Sequence, residues 1–533
     1  MALFDGIKKR WNRLVQRSAA PLGGAKELKD IFEIAGVPAW NQFYYMGIFP
    51  WKFIYRGFYE PWHLIRMVTT NNPDGKRELA RLNIAKAAAQ ELASLIWTER
   101  CQVNVSMTGN TSEDDPLDRF VQSVLCDNNF YTKMGEHIEQ SLALGGGALK
   151  VWFKPDRNDD GEPLDTGSIQ IGYAMADQFV PTAWNNAEVK DAIFVSREAK
   201  GGYYYTRLEW HRWNGETYVI TNDLYRAEQK NSNQDILGVW MPLAEAYPDL
   251  SPETEIKNIG DSLFSYYRPT GANNLDDNSP LGVSIYANAM DTLHALDLAF
   301  DGFNSFLKLG KPKIVVPYRA LRSVIDPEGR VRHYFDPDDE VFAGLNIDDD
   351  SFDIKDMTIS LHVDEHVAAI NALLNLFCLQ AGFSPSTFTF DKDNGIKTAT
   401  EVISENSKTY KSVKNNQNNI RPCIERLVEN IITVATLYNL EFDGKPVAQL
   451  AANGYEVAVA FDDSIIQDQQ TNLNQGIMLL TNGLLSKKTL LTAPKFGICM
   501  TEEEADAELQ RIASESATVT ANAIDMFRAY GGE

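Results

Sequence analysis

Residues 279–310 read SPLGVSIYANAMDTLHALDLAFDGFNSFLKLG, and residues 364–382 read DEHVAAINALLNLFCLQAG. Ser279-Pro280 has the form of a helix start: a hydroxyl to cap the first free amides, then a proline where no donor is needed. Gly310 and Gly382 are helix stops, because glycine accepts the left-handed conformation that ends a helix. At 1.5 Å per residue, a helix over 279–310 would be roughly 45 Å long. Its apolar side carries Ile285, Ala289, Leu296, Phe300, Phe303 and Leu307, and the adjoining side carries His294, Asp297, Asp301, Asn304 and Lys308. Such a helix packs on one side and meets water or a partner on the other. The second helix is expected from Asp364 to Ala381. Between the two, Ile314 to Val316 reads as a strand, Asp326-Pro327-Glu328-Gly329 as a tight turn and Thr358 to Val363 as a returning strand. Two helices around a small α/β insert make a stalk with a tip.

Beyond the second helix, residues 384–397 (SPSTFTFDKDNGIK) read as a loop, since the proline and Asn394-Gly395 disfavour a regular element. Thr398-Ala399-Thr400-Glu401 is a capping box that opens another long helix. Ile403, Tyr410, Val413, Ile420, Leu427 and Ile431 mark its apolar positions as far as Leu440. Its middle, Lys411 to Asn419, is almost wholly polar, and Pro422 is expected to kink it. A helix of this kind suits a spoke between subunits better than a private core. Tyr455 to Phe461 gives a further strand, and residues 463–525 read as helical with a break over 487–497.

Upstream, residues 36–62 are crowded with aromatics (Trp40, Phe43, Tyr44, Tyr45 and Trp51 among them) and interrupted by prolines, which reads as an irregular arm packed on its own subunit or a neighbour. Leu82, Ala85, Ala89, Leu92 and Ile96 have helical spacing. One helix is expected from Asp114-Asp115-Pro116 through Phe120, Val124 and Leu144 to Gly145-Gly146-Gly147, followed by a strand over Ala148 to Phe153. Residues 168–268 alternate in β fashion, with Asn214-Gly215 as a hairpin turn. The fold class is therefore α+β.

At 533 residues the chain is too long for one ordinary core. Its 44% hydrophobic and 11% aromatic content is that of a folded protein, and its net charge is −23. A protein that coats DNA is expected to be basic, whereas a wall past which DNA slides benefits from being acidic. The five cysteines (Cys101, Cys126, Cys378, Cys423, Cys499) form no CxxC pair, which points to a reducing compartment and away from a disulfide frame or zinc ribbon. No apolar run is long enough to span a bilayer, and the first residues lack a signal-peptide core. Leu3, Ile7, Trp11 and Leu14 share one helical face among Lys8, Lys9, Arg10, Arg13 and Arg17. That pattern fits a surface helix docked on its own protein, with membrane or nucleic-acid contact as the alternative.

Catalytic signatures are few. His362-Val363-Asp364-Glu365-His366 fits the HxxEH zinc-protease pattern, which needs both histidines on one helical face. With a strand up to Val363 and Asp364 as the cap, the histidines are expected to diverge, so no metal is expected. The triple glycine lacks the lysine and hydroxyl of a phosphate loop. Asp391-Lys392-Asp393-Asn394-Gly395 is one residue short of a calcium loop. The acidic runs Asp336 to Glu340 (with Asp338 and Asp339) and Asp348 to Asp350 are either solvated or paired with Arg319, Arg322, Arg330 and Arg332 of an adjacent copy. Neither an enzyme nor a cofactor is expected.

The order of parts resembles the stem, clip, stem, tunnel loop and spoke helix of portal proteins from tailed double-stranded DNA bacteriophages, of the siphophage-type portal and minor-head family. The resemblance is carried by Leu82-Asn83-Ile84-Ala85-Lys86 with Leu95-Ile96, by Leu144-Gly145-Gly146-Gly147-Ala148, and above all by Lys397-Thr398-Ala399-Thr400-Glu401-Val402 through Tyr410 and Gln417. It covers residues 76–500; the aromatic arm has no counterpart. It implies a wing domain over 76–278, stem helices over 279–310 and 362–382, and a clip over 311–361, with the basic helix and aromatic arm over 1–75 as a peripheral addition to the wing. It further implies a tunnel loop over 383–397, a kinked wing helix over 398–440, a wing strand over 441–462 and a helical crown over 463–533.

By the same resemblance the chain would form a ring, typically of twelve subunits, at one capsid vertex of the virion, with host cytoplasm as its place of assembly. Double-stranded DNA would pass through it, and the terminase large subunit, the head-to-tail adaptor, and the major capsid and scaffolding proteins would be its partners. Residues 384–397 would project into the channel. There Lys392 and Lys397 would meet phosphates beside Asn394, or Lys392 would simply balance Asp391 and Asp393, while Phe388 and Phe390 anchor the loop. The five polar residues of the first stem helix would face the channel, and the arginines and acids of the tip would meet a neighbour or the adaptor. A scaffold or adaptor ring that conducts no DNA is the alternative. If Asp297 and Asp301 line the channel, lysine at both positions leaves rings intact and slows DNA passage.

Overall fold

The computed structural model describes residues 31–36, 41–66, 75–108, 115–158, 163–186, 188–229, 236–248, 250–309, 362–385, 387–390, 405–462, 469–493, 496, 501 and 504–512, together with the strand residues 314–317, 322–325, 331–334, 342–345 and 355–356. The chain divides into two compact units: residues 1–393 with 411–460, and residues 394–410 with 461–533.

The first unit opens with α1 (Asn41–Tyr55), α2 (Glu60–His63), β1 (Leu64–Arg66) and β2 (Lys76–Glu78). The aromatic arm is thus regular helix over most of its length, running through Pro50, rather than the irregular segment expected. It packs on its own chain. Ile48, Trp51 and Ile54 are buried, Tyr55 donates to Glu139 Oε1 at 2.6 Å, and the Tyr286 hydroxyl donates to the Trp51 carbonyl at 3.0 Å.

Next come α3 (Ile84–Ile96), β3 (Gln102–Met107), α4 (Pro116–Asp127) and α5 (Phe130–Leu144). Asp115 caps α4 by accepting from the Leu117 amide at 2.9 Å, with Pro116 at the first turn. The single helix expected from 116 to 144 is two helices. Asn129 takes a left-handed φ of 51°, which asparagine tolerates better than most residues. Asn128 ends α4 by donating to the Val124 carbonyl, and it also bonds Ile169 and Ile171 of a neighbouring strand. Gly145, at φ 92°, closes α5, and the amides of Gly145 and Gly146 both donate to the Ser141 carbonyl. A side chain at Gly145 would begin 2.7 Å from the Gly282 carbonyl oxygen, so the turn can come this close only with glycine there.

Two antiparallel sheets follow. β4 (Gly147–Arg157) pairs with β5 (Pro163–Met175) on one side and, after the second sheet, with β12 (Phe264–Tyr267) on the other. The second sheet is a meander of β6 (Phe179–Asn185), β7 (Glu188–Lys200), β8 (Tyr203–Asn214) and β9 (Thr217–Glu228), edged by β10 (Val239–Met241) and β11 (Glu253–Lys257) on β9. Asn214 pairs with Thr217, so the β8–β9 turn is Gly215-Glu216, with glycine at φ 63° in the first central position. Two-residue hairpins of the II′ kind need glycine there.

The first helix of the pair is shorter than expected. α6 spans Met290–Leu309, preceded by one short 3-10 turn over Ala287–Ala289. Ser279 and Ser284 spend their hydroxyls on turns, each accepting from the amide two residues on. At 1.5 Å per residue the helix is about 30 Å long. In the insert, β13 (Ile314–Pro317) pairs in parallel with β16 (Phe342–Leu345) and antiparallel with β17 (Lys355–Asp356), while β14 (Arg322–Ile325) and β15 (Val331–Tyr334) form a hairpin. α7 (Val363–Ala381) ends at Gly382, φ 86°, as expected.

α8 (Ser407–Leu437) runs unbroken through Pro422. The capping box at 398–401 lies outside the described residues. Within the polar middle of this helix Lys411, Lys414, Asn415, Asn418 and Asn419 are exposed, whereas one face of the helix packs inside the chain. Val413, Ile420, Ile424, Leu427, Val428 and Ile431 are buried, and so are Asn416 and Gln417. The Asn416 amide group bonds Thr270 through both its oxygen and its nitrogen, and Asn419 donates to the Arg268 carbonyl, so α8 holds the chain after β12 by side-chain amides. β18 (Glu441–Phe442), β19 (Lys445–Pro446), α9 (Val447–Ala451) and β20 (Tyr455–Ala460) complete the unit, with β20 antiparallel to β3.

The second unit contains α10 (Gln469–Thr481), α11 (Lys487–Thr492) and a helix over 504–512. α11 falls where a break was expected, because Ser486 caps it by accepting from the Thr489 amide at 3.0 Å. Among the described residues no helix is long and apolar enough to cross a membrane.

His137 is fully buried on α5 with no partner for its Nε2, and burial pushes its pKa down to about 3. The unfolded chain therefore takes up a proton at this residue below about pH 6.5, while the native state stays neutral until about 3. Stability from this group is complete above the unfolded value and falls with decreasing pH by up to about 1.4 kcal/mol per unit. Denaturant titrations between pH 7 and 4 are expected to show a shallower loss for His137→Gln than for the parent chain.

Candidate functional site: the antiparallel helix pair

α6 and α7 pack antiparallel. Thr292 near the start of α6 donates to Gln380 Oε1 near the end of α7 at 2.8 Å, while Phe306 near the end of α6 lies 5.0 Å from the His366 ring near the start of α7. Leu293 and Leu296 are buried on one helix, and Ile370, Leu374, Phe377 and Cys378 on the other.

Three of the five polar residues expected to face a channel, His294, Asp297 and Asp301, contact the segment 62–82 of the same chain. His294 stacks on Trp62 at 4.8 Å with the planes 18° apart. Asp297 Oδ1 accepts from the Leu82 amide at 3.0 Å, and its Oδ2 meets His63 Nε2 at 2.9 Å. His63 Nδ1 accepts from the Tyr59 amide at 2.7 Å, so Nε2 carries the proton and donates to Asp297. Asp301 is 8% exposed. It accepts a fork from Arg77, Nη1 to Oδ1 at 2.8 Å and Nη2 to Oδ2 at 2.6 Å, and Oδ1 also accepts from the Ala80 amide at 3.0 Å. The Arg77 hydrogen bonds hold the Asp301 carboxyl below its ordinary pKa. The two aspartates thus make bonds within one chain, and lysine at 297 and 301 would break them, contrary to the expectation that such a change leaves rings intact. Asn304 is half-buried and Lys308 exposed, at the far end of α6.

Phe388 packs against Phe383 at 5.2 Å and Phe377 at 6.3 Å, which fixes the start of the loop after α7. Phe390 does not anchor through its ring, which is 53% exposed; its backbone amide is held instead, donating to Asn371 Oδ1 at 3.0 Å. Lys392, Asn394 and Lys397 lie outside the described residues. So do Arg319, Arg330, Asp336, Asp338, Asp339 and Glu340. Arg322 and Arg332 sit on the β14–β15 hairpin, opposite Tyr334 and Val324.

His362 and His366 do not diverge as expected. His362 stands at the cap position of α7, and both rings lie against Phe306, at 6.4 and 5.0 Å. His362 Nδ1 meets Glu365 Oε1 at 3.2 Å. Among the described residues no group of three or more histidines, cysteines or carboxylates is arranged to hold a metal.

Sequence reasoning missed the apolar outer face of α7. Ala368, Ala369, Ala372, Leu376 and Leu379 recur at helical spacing, and all are exposed. Leu298 and Leu307 of α6 are exposed too. The run AAINALLNLFCL is apolar almost all round, which is the signal that could have revealed a helix covered on more than one side.

A family model described as "Phage portal protein, SPP1 Gp6-like" matches residues 39–520. The chain belongs to this family of phage portal proteins. Among solved structures, a chain from one described as "Neck of empty GTA particle computed with C6 symmetry" is similar at 12% identity with a TM-score of 0.33, over 76% of this chain and 87% of that one. No curated protein matches.

Asp301→Ala removes three acceptor contacts from a nearly buried site and is expected to cost about 2–3 kcal/mol. Arg77→Ala, at a residue a third exposed, is expected to cost about 1 kcal/mol. In a double-mutant cycle by denaturant unfolding the two effects should be strongly non-additive.

Proposed function

We propose that the chain is a non-catalytic portal subunit. Copies of it close into a ring, of twelve by analogy with siphophage portals, at one capsid vertex of the virion. Viral double-stranded DNA is packaged and later ejected through the axial hole. The terminase large subunit docks on the ring first and the head-to-tail adaptor afterwards, with capsid and scaffolding proteins around it.

The observation that carries this reading is the family match over residues 39–520. Two features of the chain support it. The exposed apolar stripe of α7 suits a head-to-tail contact, in which one face of each subunit meets a different face of the next. The net charge of −23 suits a wall that DNA slides along without sticking.

Electron microscopy of the purified chain is expected to show rings with a hole wide enough for a duplex. Leu376→Asp, at an exposed position, should leave a folded monomer that no longer forms rings. Closed discs, or rings that persist unchanged in the variant, would respectively sink the conducting role and the assignment of this face. His362→Ala with His366→Ala should change neither the metal content nor ring formation.

A further inference from the structure

The β4–β5–β12 sheet and the larger sheet of β6 to β11 both line a cavity of about 440 Å³. From β4 and β5, Lys150 and Trp152 lean over Gly172, where an added Cβ would come within 2.7 Å of the Trp152 ring. From the larger sheet come Phe194 and Ser196 of β7, Arg207 and Glu209 of β8, and Ile220 and Asn222 of β9. The register places these residues on one face, since Phe194 pairs with Glu209, Ser196 with Arg207, and Glu209 with Asn222. Val434, Leu437 and Tyr438 also line the space, and Trp152, 43% exposed, is open to solvent.

The charges in this space do not balance. Among the described residues, Lys150, Arg207 and Glu209 are the charged ones lining it. Glu209 Oε2 accepts from Lys150 Nζ at 2.6 Å and lies 3.1 Å from Arg207 Nη2. Its Oε1 meets His211 Nε2 at 2.9 Å. His211 is itself uncharged: its Nδ1 faces the Tyr218 hydroxyl at 2.7 Å, that hydroxyl accepts from the Leu263 amide, and full burial lowers the histidine's pKa. One carboxylate therefore answers two basic groups, and burial, only partly offset by Glu209, lowers the Lys150 pKa, so that a second anion beside it would favour its charged form. Lys150 has three donors and one carboxylate partner, with aromatic rings of Phe194 and Trp152 at 5.0 and 5.4 Å. Arg207 spends its remaining donors on long contacts, 3.3 Å to Ser196 Oγ and 3.4 Å to Asn222 Oδ1. The rest of the lining is mostly apolar, and both the volume and this mixture are those of a small-molecule site.

We propose that this cavity binds a small organic monoanion, an aryl or alkyl carboxylate, with its charged head on Lys150 and Arg207 and its apolar body against Trp152 and Phe194. The anion completes the charge balance of the buried cluster. The site does not rest on the ring role, since the lining residues named here all belong to one chain.

The test is calorimetric titration of the full chain with 3-phenylpropionate and with its uncharged counterpart 3-phenylpropan-1-ol. Saturable binding of the acid, one per chain, is expected, with the alcohol at least about tenfold weaker, which corresponds to about 1.4 kcal/mol. Arg207→Gln should weaken binding of the acid by a similar factor. Glu209→Gln removes the internal rival for the cations and should strengthen it. Trp152→Ala, at a residue 43% exposed, should also weaken it, with a cooperative unfolding transition in the absence of ligand showing that the variant is folded. Equal binding of acid and alcohol, no saturation at millimolar concentration, or affinity indifferent to both Arg207→Gln and Trp152→Ala would overturn the proposal.

Discussion

Two carboxylates one helical turn apart, Asp297 and Asp301, tie the amino-terminal segment to the helix pair. Between them they accept from two backbone amides, an imidazole and a forked guanidinium. The amides belong to the extended stretch before α3, whose donors would otherwise need water. An ionised acceptor makes shorter and stronger bonds than a neutral one, so a stretch without helix or sheet of its own is fixed as firmly as a regular element. The junction fixes the end of α2, the β1–β2 ribbon and the lead into α3 against α6, while α1 is held separately through Trp51 and Tyr55. Without it Trp62 would lose its stack on His294 and Arg77 would face solvent.

Much of the plan was legible in the sequence, and for identifiable reasons. Gly382 ended α7 where expected because a left-handed φ of 86° is nearly a glycine monopoly. The β8–β9 hairpin was readable from the Asn-Gly pair inside alternating strands. What failed was local chemistry that has two uses. Ser279-Pro280 looks the same at a helix cap and in a turn, and here Ser279 serves a turn. Asn128-Asn129 sits within an apolar rhythm of helical period, so the break it makes was invisible without the strand that Asn128 bonds.

The candidate site shows a second limit. Asp297 and Asp301 were rightly placed on one face, but periodicity says only that a face is polar, not whether water or another part of the chain meets it. Arg77 lies more than two hundred residues away in sequence, and no spacing rule connects the two. The polar middle of α8 misled in the same way. Its polarity suggested a spoke between subunits, yet the Asn416 side-chain amide is buried against Thr270 of its own chain with donor and acceptor both met. The apolar outer face of α7 was hidden among residues that were all apolar, where a stripe has no edge to see.

The antiparallel packing of α6 and α7 has a consequence for the strands they carry. Phe306 near the end of α6 and His362 at the start of α7 are within 6.4 Å of each other, so the chain leaves and re-enters the helix pair at almost one point. A segment grafted between neighbouring points adds little closure entropy as it grows, since that cost rises only with the logarithm of length. By this count a change in the length of the insert over 311–361 costs the helix pair, the aspartate junction and the sheets behind them little.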